Sequence, residues 1–130
     1  MENSVPSLGI DIGSVAVKLV LVEKGEVTRT VYRRFGEGPF ETLMEILGES
    51  FCDLTEKSVH LGMTGIGGKT LQSILGGKQF GEIAALAAGN FRLLPQVRTV
   101  IEMGGEDSKL LILDPDTQTV RDFAMNAQCA

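Results

Sequence analysis

The chain has 130 residues, a length at which one domain can bury about two thirds of the surface that it exposes when unfolded. Apolar residues make up 43% and charged residues 22%, which excludes an intrinsically disordered or fibrous protein. Twelve basic and 17 acidic residues give a net charge of -5, which excludes duplex nucleic acid as the main ligand. No apolar stretch is long enough for a signal peptide or a membrane span, so we predict a cytoplasmic protein without membrane contact.

The predicted elements begin with three strands. Residues 8–13 and 15–22 are rich in aliphatic and β-branched side chains and are separated by a Gly-Ser pair, which predicts a β-hairpin. A Lys-Gly-Glu turn follows at residues 24–26. Residues 27–35 are more polar but keep β-forming side chains, which predicts a third antiparallel strand at or near a sheet edge.

Helices and further strands are predicted in the rest of the chain. Helical spacing of apolar residues indicates helices at 40–52, 69–75 and 81–94, the last of them ended by Pro95. Strands are predicted at 59–63, 97–103, 109–113 and 119–125. The order predicts one α/β domain over residues 1–130, with a mixed sheet whose first three strands are antiparallel and which is flanked by helices. Because no closing element follows the last strand, we expect a fragment of a longer protein.

The first hairpin carries the residue types of a phosphate-binding turn. Asp11 at the end of a strand can hold Mg²⁺ through its water shell. Gly13 and Ser14 allow backbone N–H groups to approach phosphate oxygens, and Lys18 can add a point charge. The alternative is an ordinary hairpin that needs Gly13 for its turn, and these residues alone leave both interpretations open.

A second hairpin of the same design is predicted around Gly104 and Gly105. It brings three acidic residues, Glu102, Glu106 and Asp107, to a second glycine turn, where we expect them near the same metal ion. Taken alone, this hairpin is better explained as an acidic loop in contact with solvent. The presence of two such hairpins in one chain favours a phosphate site.

A third glycine-rich segment, TGIGG at residues 64–68, precedes Lys69 and Thr70 and superficially resembles a Walker A loop. That loop requires a glycine at the position of Met63, so the spacing fails. The segment is instead predicted to be a strand-to-helix turn, which can still approach a ligand through its backbone.

Four strings together resemble one family: GIDIGS at 9–14, TGIGG at 64–68, IEMGGEDSK at 101–109 and MNAQCA at 125–130. They are similar to the ATP-dependent activators of 2-hydroxyacyl-CoA dehydratases and benzoyl-CoA reductases. The resemblance implies the fold of actin, sugar kinases and chaperone ATPases, with residues 1–130 as an N-terminal, ribonuclease-H-like lobe. Glu102 and Glu106, where Asp and Gln are more usual, resemble the long multidomain activase branch.

The resemblance also implies roles for individual residues. Asp11 matches the acid that holds the metal-bound water, and Gly13, Ser14 and Lys18 match phosphate contacts. A second set matches the second phosphate loop and its catalytic pair: Glu102, Gly104, Gly105, Glu106 and Asp107. Ala16 stands where a hydroxyl residue is more usual, and the charge of Glu106 departs from a neutral Gln.

Cys129 matches the cysteine that binds a 4Fe-4S cluster shared between two subunits. Cys52 is predicted to be a small buried hydrophobic residue at the end of a helix. The implied cofactors are therefore ATP and Mg²⁺, with a 4Fe-4S cluster in the full-length protein only, as a homodimer or an internal pseudo-dimer. The implied partner is a 2-hydroxyacyl-CoA dehydratase-like or benzoyl-CoA reductase-like enzyme, and the chain alone is expected to be inactive.

Two other functions remain open for this fold. One is a small-molecule kinase for a sugar or an acid, in which an acidic residue activates a substrate hydroxyl group. The other is an actin-like or chaperone-like scaffold whose nucleotide drives assembly. Cys129 distinguishes the activator from the kinase, because a kinase has no need of a cluster ligand beside its phosphate site.

Overall fold

The computed structural model describes residues 4–126. The chain divides into two compact units, Met1–Phe80 and Gly81–Ala130, each with its own sheet. The longest helices in the described part of the chain have 12 residues, and none of the helices there is long and apolar enough to cross a membrane.

The first unit contains a five-stranded mixed sheet. Its strands are β1 (Ser7–Ile12), β2 (Ala16–Glu23), β3 (Glu26–Arg34), β4 (His60–Gly65) and β5 (Lys78–Gln79). Their spatial order is β3-β2-β1-β4-β5. The first three strands are antiparallel neighbours, whereas β4 runs parallel to both β1 and β5. The predicted antiparallel start, the edge position of β3 and the mixed sheet are confirmed.

Two α-helices and a short 3-10 helix belong to this unit: α1 (Pro39–Ser50), the 3-10 helix (Cys52–Leu54) and α2 (Gly68–Leu75). Proline is favourable in the first turn of α1, because the N–H group that it lacks has no partner there in any helix. Alternate residues of β1 and β2 and one face of α1 form the core, because side chains repeat about every two residues along a strand and about every 3.6 residues along a helix. Its members include Leu8, Ile10, Ile12, Val17, Leu19, Leu21, Leu43 and Ile46.

Cys52 is exposed, so its predicted burial is wrong. The α-helix ends at Ser50, and the chain continues as the 3-10 helix, in which the side-chain period differs. Phe51 and Leu54 point into the core of the first unit and leave Cys52 outside. Strand β5 was not predicted, because two residues are too few to show an alternating pattern.

The second unit contains α3 (Glu82–Leu93) and three strands: β6 (Thr99–Met103), β7 (Ser108–Asp114) and β8 (Thr119–Asn126). These elements were all predicted, with small shifts at their ends. The strands form a separate antiparallel sheet in the order β6-β7-β8, so the mixed sheet contains only β1–β5.

One side of the β6-β7-β8 sheet packs against α3. Leu111 and Leu113 of β7 and Ala87 of α3 are buried there, with partly buried residues of the same elements around them. Leu94 is exposed and lies just beyond α3, which ends at Leu93 and not at the predicted residue 94.

Candidate functional site

The first hairpin holds Asp11 and Lys18 side by side. Their Cα atoms are register partners across β1 and β2, and Lys18 Nζ donates to Asp11 Oδ2 at 3.0 Å. Both side chains are about one third exposed, at 32% for Asp11 and 37% for Lys18. An ion pair this open to water contributes about 0–1 kcal/mol, so Lys18 can exchange the carboxylate for another anion at little cost.

The turn between these strands offers backbone donors. The amide of Gly13 donates to the carbonyl of Ala16 at 3.0 Å and closes the turn. The amide N–H groups of Ser14 and Val15 have no hydrogen-bond partner within residues 4–126. Successive free N–H groups in a turn are suited to bind an anion, so this hairpin can accept a phosphate oxygen beside Lys18.

The glycine turn at 64–68 lies against the same hairpin. Gly65 has a φ of +84°, and a Cβ there would collide with the carbonyl oxygen of Ile12 and the carboxylate of Asp11. The amide of Gly67 donates to the carbonyl of Ile12 at 3.2 Å, and a Cβ on Gly67 would lie 2.6 Å from Ile12 Cγ2. Because glycine has no Cβ, this turn leaves room for the Asp11 carboxylate beside Gly65.

The second hairpin repeats the geometry of the first. Glu102 and Lys109 are register partners across β6 and β7, with Lys109 Nζ 3.2 Å from Glu102 Oε2. The amide of Gly104 donates to the carbonyl of Asp107 at 2.8 Å, three residues along, as Gly13 does to Ala16. In both hairpins the acid precedes the glycine by two residues and the lysine by seven.

Lys109 differs from Lys18 in being buried, with only 3% of its side chain exposed. Its Nζ lies 2.9 Å from Asp107 Oδ2 and 3.9 Å from Glu82 Oε1, besides its contact with Glu102. Burial lowers the pKa of Lys109, but the hydrogen bonds with Asp107 and Glu102 and the charges of Glu102 and Glu82 outweigh it. The pKa of Lys109 is therefore raised above its ordinary value, and the ammonium stays charged.

Sequence reasoning assigned no role to Lys109 or Glu82. For Lys109 a signal existed, since its distance from Glu102 along the chain equals that of Lys18 from Asp11. Glu82 had no comparable signal, because only the packing of α3 on the sheet brings it to Lys109.

The predicted site residues fall into two groups. The first hairpin brings together Asp11, Gly13, Ser14 and Lys18. The second holds Glu102, Gly104, Gly105 and Asp107, with Glu106 exposed in the turn. Cys129 lies outside the described residues.

A metal site is not preformed in the described part of the chain. Residues 4–126 contain no group of three or more His, Cys, Asp or Glu side chains placed to bind a metal ion. A carboxylate on the strand that leads into a turn with two free amides suits a hydrated Mg²⁺ bound together with a phosphate, a mode that needs few protein ligands. The expectation that both hairpins serve one metal ion stays a prediction.

Residues 8–130 match the BadF/BadG/BcrA/BcrD ATPase family. The chain is 33% identical over 131 residues to the (R)-2-hydroxyglutaryl-CoA dehydratase activating ATPase of Acidaminococcus fermentans, covering 98% of the chain and 49% of that protein. It is 32% identical to the 2-hydroxyisocaproyl-CoA dehydratase activator of Clostridioides difficile, with coverages of 95% and 47%. The chain thus spans about half the length of these relatives.

Two solved structures of related activators share the fold of this chain. The crystal structure of component A of the Acidaminococcus fermentans dehydratase matches with a TM-score of 0.81 at 31% identity, covering 98% of the chain and 49% of that protein. The activator of the Clostridium difficile 2-hydroxyisocaproyl-CoA dehydratase with bound ADPNP matches with a TM-score of 0.78 at 31% identity, covering 96% and 47%. These matches confirm the predicted α/β class and actin-like fold. The chain belongs to the BadF/BadG/BcrA/BcrD ATPase family.

Proposed function

We propose that the full-length protein hydrolyses ATP to drive low-potential electrons into a 2-hydroxyacyl-CoA dehydratase-like or benzoyl-CoA reductase-like enzyme. This chain supplies the first part of its ATPase domain. The observation that carries the proposal is the family match over residues 8–130, which includes both acid-glycine-lysine hairpins. The relative with bound ADPNP supports ATP as the nucleotide.

The first hairpin would bind the phosphates of ATP. The free amides of Ser14 and Val15 donate to phosphate oxygens, and Lys18 turns from Asp11 to the phosphate at little energetic cost. Asp11 is the residue that would hold a hydrated Mg²⁺ beside these phosphates. When bound, Mg²⁺ neutralises charge on the phosphates.

The second hairpin would contribute to hydrolysis. Gly104 and Gly105 form its turn, and Glu106 at the tip is the exposed acid available to orient an attacking water molecule. Glu102 and Asp107 are bound by Lys109, so their carboxylates have defined positions beside the turn.

A 4Fe-4S cluster is the second element of the proposal. Cys129 is the ligand that this chain would supply, and the support is the family match, which extends through residue 130. One cysteine cannot hold a cluster that requires about four thiolates, so we infer a homodimer or an internal pseudo-dimer when the protein is full length. The cluster, when bound, supplies the low-potential electron. We place the protein in the cytoplasm, where thiolates stay reduced.

The test is made on full-length protein purified without oxygen. We expect a brown protein that hydrolyses ATP and, with a reductant, reduces a 2-hydroxyacyl-CoA dehydratase only when ATP is present. The Asp11→Asn variant is expected to keep its iron and lose the ATP-driven step. A colourless protein that transfers phosphate to a sugar or an acid would instead be a kinase, and nucleotide-dependent filaments without electron transfer would indicate a scaffold.

A further inference from the structure

We propose that Lys109 is a positioning residue, which holds the turn of the second hairpin in place through its buried ammonium group. The inference rests on the proposed function only in that this turn contacts the phosphates of ATP. Its structural basis is the set of contacts around a buried ammonium group.

Lys109 joins three separate elements of the second unit. Its Nζ contacts Glu82 of α3 at 3.9 Å, Glu102 of β6 at 3.2 Å and Asp107 of the turn at 2.9 Å. On the other side, β8 presents the uncharged Met125 as the register partner of Lys109. Within residues 4–126, the charged groups that lie within 4 Å of the ammonium are carboxylates from the helix, the neighbouring strand and the turn.

The contact with Asp107 continues to the glycine turn. Lys109 Nζ also donates to Asp107 Oδ1 at 3.0 Å. That same oxygen would lie 2.8 Å from a Cβ on Gly104, so the turn is closely packed against the carboxylate that Lys109 holds. The amide of Gly104 in turn donates to the carbonyl of Asp107 at 2.8 Å. Both the side chain and the backbone of Asp107 thus adjoin Gly104, so releasing the Asp107 carboxylate from Lys109 removes a constraint on the glycine turn.

Burial makes this arrangement different from that of Lys18. At 3% exposure the Lys109 ammonium is withdrawn from water, so it does not exchange its carboxylates readily for a ligand. Lys18, at 37%, can do so. Two lysines at matching positions thus have different roles: Lys18 binds the ligand, whereas Lys109 holds the turn in place.

The kinetic test uses full-length Lys109→Met and Lys109→Arg, with Lys57→Met as control. Lys57 is an exposed lysine 3.8 Å from Asp53, distant in sequence from the hairpins. We expect Lys109→Met to lower kcat by about tenfold to a hundredfold, with a smaller rise in KM for ATP, because a misplaced turn mainly loses transition-state contacts. Lys109→Arg is expected to restore part of kcat, and Lys57→Met to behave as wild type. An unchanged kcat in Lys109→Met would overturn the proposal.

A second measurement does not depend on ATP hydrolysis. Amide hydrogen exchange of residues 101–107 in the full-length protein is expected to accelerate in Lys109→Met and not in Lys57→Met. If Lys109→Met fails to fold, Asp107→Asn, which weakens the same contact from the turn side, is expected to show the same local acceleration. Unchanged exchange at 101–107 in a folded variant contradicts the positioning role. Accelerated exchange in a protein that hydrolyses no ATP would leave that role standing and refute the proposed function.

Discussion

Lys18 and Lys109 stand at equivalent positions of two hairpins, yet 37% of the first side chain is exposed and only 3% of the second. Each faces the acid that precedes a glycine turn, Asp11 in one hairpin and Glu102 in the other. The difference comes from packing, since α3 adds Glu82 to the surroundings of Lys109. One sequence pattern has thus produced an exchangeable ion pair and a fixed one.

The first prediction concerns Asp11. Replacing it with Asn in the full-length protein keeps the shape of the side chain and removes the charge that would hold hydrated Mg²⁺. We expect ATP hydrolysis to fall by at least about a hundredfold, which is the usual cost of losing one group that stabilises charge in the transition state. A steady-state phosphate-release assay measures it, and normal turnover would contradict the role of Asp11.

The second prediction concerns Gly65, whose φ of +84° and contact with Asp11 both require glycine. Gly65→Ala is expected to lower the free energy of unfolding by about 2–4 kcal/mol. The positive φ accounts for about 1–2 kcal/mol of this loss, and the steric clash of the new Cβ accounts for the rest. Gly25→Ala is the matched control, because Gly25 has a φ of +81° and no atom within 4 Å of the position that a Cβ would take. Urea unfolding compares them, and equal losses would show that contact with Asp11 adds nothing.

Much of the first sheet could be predicted because its residues alternate with the period of a strand. Val17, Leu19 and Leu21 of β2 are all buried, and the Gly-Ser pair before them is the turn that their pattern requires. The glycines and acids of both hairpins could also be identified from the sequence, because the residues that a turn requires are close together in the chain.

Features that depend on tertiary packing could not be predicted. The exposure of Cys52 follows from a 3-10 helix whose period differs from that of α1. The burial of Lys109 depends on the packing of α3 against β7, which brings Glu82 to a lysine 27 residues later in the chain. The separation of the strands into two sheets likewise has no local signature, because strand pairing is chosen by long-range packing.

The third prediction compares two residues of α1 that lie two positions apart. Ile46 is 0% exposed in the core, whereas Met44 is 67% exposed on the other face. Ile46→Ala is expected to cost about 2–5 kcal/mol, because the lost contacts leave a cavity. Met44→Ala is expected to change the free energy of unfolding by less than about 0.5 kcal/mol. Urea denaturation measures both, and a large loss at Met44 would place that side chain in the core.

The fourth prediction concerns the pH dependence of stability at Asp114, a buried residue at the end of β7. Arg121 donates to its Oδ2 from Nε at 3.0 Å and from Nη2 at 2.6 Å. These bonds, helped by the amides of Thr117 and Asp116 and opposed by burial, hold the pKa of Asp114 below its ordinary value.

Because the folded pKa is the lower one, the carboxylate stabilises the fold fully above the unfolded value of about 3.9 and loses this contribution as pH falls further. Asp114→Asn is expected to be less stable than wild type at pH 7. The difference should shrink progressively below about pH 4. Urea unfolding at a series of pH values tests this, and a difference that stays constant down to about pH 2 would show that Asp114 is not the titrating group.

The last prediction concerns the two cysteines. Neither the chain alone nor a dimer of it presents four copies of Cys129, and a 4Fe-4S cluster needs about four thiolates. We therefore expect the chain of residues 1–130 to be colourless and free of iron. The full-length protein, purified without oxygen, is expected to be brown and to lose its iron in the Cys129→Ser variant. Cys52→Ser is the matched control and is expected to retain full iron, because the family resemblance assigns a cluster ligand to Cys129 and none to Cys52, which lies on the 3-10 helix. Iron analysis and visible absorbance decide the matter: full iron content in Cys129→Ser would remove Cys129 from the cluster and make the kinase the better explanation of the two phosphate hairpins.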